Sequence, residues 1–206
     1  MKKWVQEHHF LIRKIHSLLG VVPMGVFLME HLITNSFGKF GPEVYNEKIE
    51  WIQGLPYLLA MEIGIIFLPI LFHALFGVVF LWAWKDNSLQ YSYSRNWRYT
   101  FQRVTGVIAL FFIGYHVWKF RIETALTGIP VNFDLVAGAF QNPLVFYFYF
   151  LGMVSIVYHF TNGVWSFLVH WGITVGPRAQ QISTYVCAAL GLGLLYIGLD
   201  ALWAFV

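Results

Sequence analysis

Four histidines stand inside long apolar runs of this 206-residue chain: His31 in "FLMEHLI", His73 in "PILFHALFG", His116 in "GYHVWKF" and His159 in "SIVYHFTNG". An imidazole is a costly neighbour for hydrocarbon unless its ring nitrogens find partners. Taken singly, an intramembrane histidine serves equally well as a satisfied polar residue or as a member of a proton relay. Two neutral imidazoles facing each other inside a helix bundle suit the axial positions of a haem iron. The spacing favours that second chemistry. His31 and His73 are 42 residues apart, and His116 and His159 are 43 apart. "HSLLGVVPMGVFLMEH" and "QRVTGVIALFFIGYH" each carry a glycine 11 or 10 residues before the histidine. "HALFG" and "HFTNG" each carry one four residues after it. One helix pair is written twice.

The elements that must position these residues are membrane spans. Hydrophobic residues make up 58% of the chain and charged residues 11%, about half the charged share of a soluble domain. Mean hydropathy is +0.62. Many of the 9 tryptophans sit near the ends of apolar runs, where interfacial aromatic belts form. The single cysteine, Cys187, excludes an internal disulfide and offers no thiolate metal site. No basic patch outside the loops supports nucleic-acid binding. The N-terminal "MKKWVQEHHFLIRKIHSLLG" lacks the small-residue cleavage site of a signal peptide.

A helix needs about 20 apolar residues to cross a bilayer. Five runs qualify, at 12–34, 57–84, 101–122, 143–171 and 181–205, which predicts an all-α integral membrane protein, one membrane domain over residues 1–206. The first four spans are expected to form a bundle around two stacked b haems. Pro56 and Pro143 fit helix starts, whereas Pro23 and Pro69 lie inside spans and should bend them. Lys and Arg number 9 in the N-terminus, second loop and fourth loop, against 4 in the first and third loops. The positive-inside rule then predicts a cytoplasmic N-terminus and an outer C-terminus.

Depth sorts the histidines into two layers. His31 and His116 lie four or five residues from the outer ends of their helices, about 7 Å in. His73 and His159 lie 17 and 16 residues from Pro56 and Pro143, about 25 Å in. Gly20 is 11 residues before His31, about 20° from the same helix face and about 16 Å deeper. It is expected to present bare backbone to the inner haem. In the third span Thr105 is the match by angle, and Gly106 is about 80° off. His8, His9, His16 and His170 carry no such pattern; His16 and His170 sit where they could reach haem propionates or a partner subunit, or simply rest at the interface.

The pieces "HSLLG…EH", "LFHALFG", "QRVTG…GYH" and "YHFTNGVWSFLVHWG" together resemble the di-haem cytochrome b anchors of succinate:quinone oxidoreductases. The likeness is to the single-subunit, five-helix cytochrome b558 type of succinate dehydrogenase in Bacillus-like bacteria, and it covers essentially the whole chain. It implies that His31 and His116 hold the iron of a distal haem near the outer face. His73 and His159 would hold that of a proximal haem nearer the cytoplasm. It further implies partners: an iron–sulfur subunit and, through it, a flavoprotein that oxidises succinate. Electrons would pass through the two b haems to a quinone, with menaquinone expected, in the bacterial cytoplasmic membrane. Some di-haem relatives carry glutamate two residues before the fourth ligand; here Val157 stands there, which puts a proton path through that carboxylate in doubt. The competing reading is a quinone-reactive di-haem anchor of a hydrogenase or formate dehydrogenase, from which the duplicated spacing over four helices differs.

Reduction of a quinone consumes two protons, so an acid beside it is needed. Glu30, Glu62 and Asp200 are the acids within the spans. Glu30 is turned about 100° from its neighbour His31, and Asp200 falls near the interface. Glu62, 11 residues before His73, is the candidate for quinone protonation: it should share the face of His73 and lie about 16 Å nearer the outside. Arg95, Arg98 and Arg103, with Lys2 and Lys3, are topology signals first and candidates for seating the iron–sulfur subunit second.

Overall fold

Proline and glycine set the helix edges. Gly41 and Gly176 adopt positive φ, and Pro42 and Pro177 open the helices that follow them. Pro143 opens another, where the Asn142 side chain accepts from the Leu144 amide. The computed structural model describes residues 7–83 and 85–206, so Lys2 and Lys3 lie outside the described residues.

The chain forms five long helical rods, with no strand among the described residues. We label them α1 (His9–Phe40), α2 (Leu58–Trp82), α3 (Ser94–Val117, prolonged to Thr127), α4 (Pro143–His170) and α5 (Pro177–Trp203). Four are long and apolar enough to cross a membrane: α1, α2, α4 and α5. In α3, Arg95, Arg98, Gln102 and Arg103 make the first turns polar; its apolar stretch lies beyond them. Short helices Pro42–Gln53 and Phe133–Phe140 close the end of the bundle opposite the N-terminus.

Two of the rods are irregular. In α1 the regular helix breaks at Val22, and Pro23 begins a new segment. In α2 a π-helical stretch, Glu62–Phe67, immediately precedes Leu68 and Pro69. Pro69 has no amide to donate, and its ring crowds the preceding turn. A wider turn relieves both. A second π-helical stretch, Trp118–Ile122, prolongs α3. Such wide turns concentrate at functional sites.

α4 packs along α3 and α5, α5 packs on α1, and α1 packs on α2. α2 lies on the outside, exposing Leu59, Ile63, Leu68, Leu71 and Leu75. A helix apolar on every side and unburied inside the protein has lipid as its solvent. The closed end is an aromatic plug in which Tyr45, Phe140, Tyr149 and Phe205 pack together. A smaller core joins Leu32, Val157 and Leu194 on α1, α4 and α5.

Polar side chains fasten the N-terminal end. Nε of Arg98 donates to Asn162 Oδ1 at 2.8 Å, Nη1 donates to Thr184 Oγ1 at 3.2 Å, and the guanidinium lies 3.8 Å over the Trp165 ring. Arg98 thus ties α3 to α4 and α5 from inside. Lys14 Nζ donates to the carbonyl of His170 at 2.8 Å, where the exposed carbonyls ending α4 need a donor.

Candidate haem and quinone sites

The repeat is most regular around the deeper histidines. Nδ1 of His73 donates to the backbone carbonyl of His16 at 2.9 Å, and Nδ1 of His159 donates to that of Gln102 at 3.0 Å; both pairs are 57 residues apart. A proton on Nδ1 leaves Nε2 with its lone pair free, the form a metal takes. The rings of His73 and His159 face each other with centroids 6.1 Å apart at 88°. His16 stacks on His73 at 3.9 Å. Gln102 instead donates its amide to the His159 carbonyl at 2.9 Å, and its own Oε1 accepts from Asn162 at 2.6 Å.

The glycines of this layer lie against its imidazoles. A Cβ on Gly20 would stand 2.5 Å from Cε1 of His73, and one on Gly106 would stand 2.9 Å from Cε1 of His159. Gly77 faces the His16 side chain, and Gly163 faces that of Gln102. Each pair of helices therefore closes with glycine opposite the partner's imidazole or amide. Gly20 lies against the His73 ring, and Gly106 lies against that of His159. The break at Val22 in α1 separates Gly20 from His31, so the extra residue there shifts only the second layer.

In the second layer the rings of His31 and His116 lie 5.5 Å apart at 85°. Nδ1 of His116 is 3.3 Å from the Tyr149 hydroxyl. Asn35 donates to the His31 carbonyl at 2.8 Å and lies 3.4 Å from its Nε2, while Tyr45 donates to Asn35 Oδ1 at 3.3 Å. The closing helix Pro42–Gln53 thus reaches this layer through Tyr45.

Imidazoles sharing one metal ion at about 2 Å per bond hold their centroids about 6 Å apart, as both pairs do to within about half an ångström. Among the described residues no cluster of three or more His, Cys, Asp or Glu could hold a bare metal ion. A two-histidine site suits iron that brings its other ligands with it, as haem does. Buried side-chain nitrogens without a partner include His16 Nε2 and Arg103 Nε, beside this first layer at the N-terminal end. They fit the carboxylate edge of such a group.

Glu62 is not a solitary acid. Its Oε2 takes a hydrogen bond from Arg121 Nη2 at 2.6 Å, and Arg121 Nε lies 3.1 Å from both carboxylate oxygens. The ideal wheel put Glu62 on the face of His73. The π segment adds a residue to the turn, which displaces Glu62 by about 100°, toward α3. A cavity of about 300 Å³ adjoins the pair, lined by Gln53, Leu58, Glu62, Phe120, Arg121, Thr124 and the segment Gly128–Val131. Phe120 also lies 5.6 Å from the His116 ring, so the cavity and the second histidine layer share a wall. The other acids do not join this site: Glu30 accepts from Thr34 at 2.6 Å, and Asp200 pairs with Lys39 at 3.2 Å. Val157 is 3% exposed and packs with Leu32 and Leu194, so hydrocarbon fills its place.

The docking candidates divide. Arg95 is exposed and donates to Gln180 at 3.0 Å. Arg98 points into the bundle and Arg103 lies 3.2 Å over the Tyr99 ring, so neither presents a free cation for a partner. Sequence reasoning also passed over Arg121, Gln102, Asn162 and Tyr149. Gln102 had a signal, since "QRVTG" aligns it with His16 of "HSLLG". Arg121 had none, because a regular helix turns it elsewhere.

A helical membrane bundle with two histidine pairs stacked along its axis defines the class: a membrane-embedded cytochrome scaffold. Residues 86–197 match the model of the succinate dehydrogenase/fumarate reductase transmembrane subunit family. The chain is 49% identical over 200 residues to the succinate dehydrogenase cytochrome b558 subunit of Bacillus subtilis (strain 168), covering 97% of this chain and 98% of that one. The chain belongs to the family of succinate dehydrogenase and fumarate reductase transmembrane subunits.

Proposed function

We propose that this chain is the two-haem cytochrome b subunit of a succinate dehydrogenase, anchoring the soluble subunits and passing their electrons to a quinone. The observation that carries the reading is the pair of cross-bundle histidine couples, His73–His159 and His31–His116, each at the separation of two axial ligands. Haem b supplies reversible one-electron transfer when bound. The residues of the chain do the rest. His16 and Gln102 fix the tautomer of the proximal ligands through their carbonyls. Tyr149 and Asn35 border the distal ones. Glu62 exchanges protons with a quinone bound beside the distal couple, with menaquinone the expected substrate.

The loop charges support a cytoplasmic N-terminus and an outer C-terminus in the bacterial cytoplasmic membrane. The N-terminal end then faces the iron–sulfur subunit, with the flavoprotein beyond it. The chain alone has no succinate chemistry.

Reduced-minus-oxidised spectra of the purified complex, with haem stoichiometry, test the reading. We expect two low-spin b haems per chain. Replacing His73 or His159 by alanine should remove one, and replacing His31 or His116 the other. A variant that keeps both haems low-spin and six-coordinate sinks the assignment at that residue.

A further inference from the structure

We propose that Arg121 is a binding and positioning residue of the quinone site: it holds Glu62 at the cavity wall and offers its remaining N–H groups to a quinone carbonyl oxygen. The proposal rests on the reading that this chain delivers electrons to a quinone.

Three observations converge. First, Arg121 and Glu62 belong to two facing π-helical segments, Trp118–Ile122 and Glu62–Phe67. The wide turn in α3 brings Arg121 round toward α2, where a regular helix would turn it away. Second, the pair uses Nε and Nη2 of the guanidinium. Nη1 makes no hydrogen bond to protein among the described residues, so one edge of the donor fork stays open. Third, both side chains line a cavity of about 300 Å³ whose Phe120 wall touches His116. That volume is at the lower end of small-molecule sites, about 300–1,000 Å³. It accepts a quinone ring and leaves the isoprenoid tail in lipid.

The chemistry balances with what the site and the complex supply. A quinone reduced here would take up two electrons, which a haem held by His31 and His116 would supply, and two protons, one on each carbonyl oxygen. No bond to the protein forms. Negative charge develops on the oxygen before its proton arrives, and a guanidinium beside it stabilises that charge. The Glu62 carboxylate takes up a proton from water and passes it to the quinone oxygen that faces it, returning to its ion pair with Arg121; the other carbonyl oxygen takes its proton from water directly. A pair serving only as a strut would need neither the open edge nor the cavity.

The test uses the assembled complex with succinate and a short-chain naphthoquinone, beside an artificial acceptor at the soluble subunits. Arg121→Lys keeps the charge but loses the fork. We expect it to keep both haem spectra and artificial-acceptor turnover while KM for the quinone rises roughly tenfold, an affinity loss of about 1.4 kcal/mol. Glu62→Gln should instead lower kcat with KM nearly unchanged. The double variant Glu62→Gln/Arg121→Gln removes both charges, so it guards against a folding defect from one unpaired charge; it should show both defects. Unchanged KM in Arg121→Lys and in the double variant overturns the proposal. So does loss of haem in the single variants that the double variant restores along with full quinone turnover, because the pair would then be a strut. Failure of the unaltered complex to reduce the quinone would overturn the proposed function itself, and that measurement comes first.

Discussion

Nδ1 of His73 meets the backbone carbonyl of His16, not its side chain, at 2.9 Å. The distinction predicts an unusual tolerance. The His16 ring stacks on His73 at 3.9 Å, yet the acceptor that sets the His73 tautomer survives any substitution keeping α1 helical. Gln102, with no ring to stack, supports His159 through the same backbone bond. His16→Ala should therefore retain the proximal haem in low-spin, six-coordinate form. Its exchange should become easier, since the stack and the Nε2 donor are gone. Absorbance and low-temperature electron paramagnetic resonance of the purified complex check this. A high-spin proximal haem would show that the ring, not the carbonyl, orients the ligand.

The two glycines behind His73 and His159 should be unequal. A methyl group at residue 20 meets Cε1 and Nδ1 of His73 at 2.5 and 2.7 Å, and His16 blocks retreat on one side. At residue 106 the corresponding contacts to His159 are 2.9 and 3.2 Å. Overpacking of this kind costs about 1–3 kcal/mol. Gly20→Ala should lose more proximal haem than Gly106→Ala, while the distal haem persists in both. Equal retention of both haems in the two variants would mean that the helices separate freely.

How far the sequence could be read depends on helix regularity. The five rods follow from apolar length, and the pairing of His73 with His159 and of His31 with His116 follows from depth in helices counted from their ends. Both inferences survive small irregularities, because a break or a wide turn changes depth by little. Facing is less forgiving. One extra residue in a turn moves a side chain by about 100°. The π segment before Pro69 took Glu62 off the face of His73, and the one after Val117 brought Arg121 to meet it. The break at Val22 likewise turns Gly20 and His31 relative to one another, and Gly20 lies against the His73 ring. Arg98 was misread for another reason. Charge near a membrane face reads as topology, and nothing local announces that Asn162 and Thr184, far along the chain, will claim the guanidinium.

Val157 supplies the last prediction. A glutamate here, two residues before His159, would offer a carboxyl group as a step on a proton path. The surroundings argue otherwise. Val157 is 3% exposed and sits among Leu32 and Leu194, with Leu28 and Phe160 packed around them. None of these offers a hydrogen bond to a carboxyl group. An unpaired ionised carboxylate there is prohibitive, and even the neutral acid costs roughly 2 kcal/mol or more without a partner. The longer side chain also overfills a closed core. Val157→Glu should lower the recovery of assembled complex and the thermal midpoint of haem release, with no gain in quinone-linked turnover per haem. Val157→Gln should do the same, since the cost is polarity and volume rather than charge alone. Val157→Ile should leave recovery and turnover near those of the unaltered complex. Haem-normalised turnover and haem-release midpoints of the three variants decide it. A Val157→Glu complex recovered in normal yield with faster quinone reduction would mean that water reaches this core from a side the packing closes.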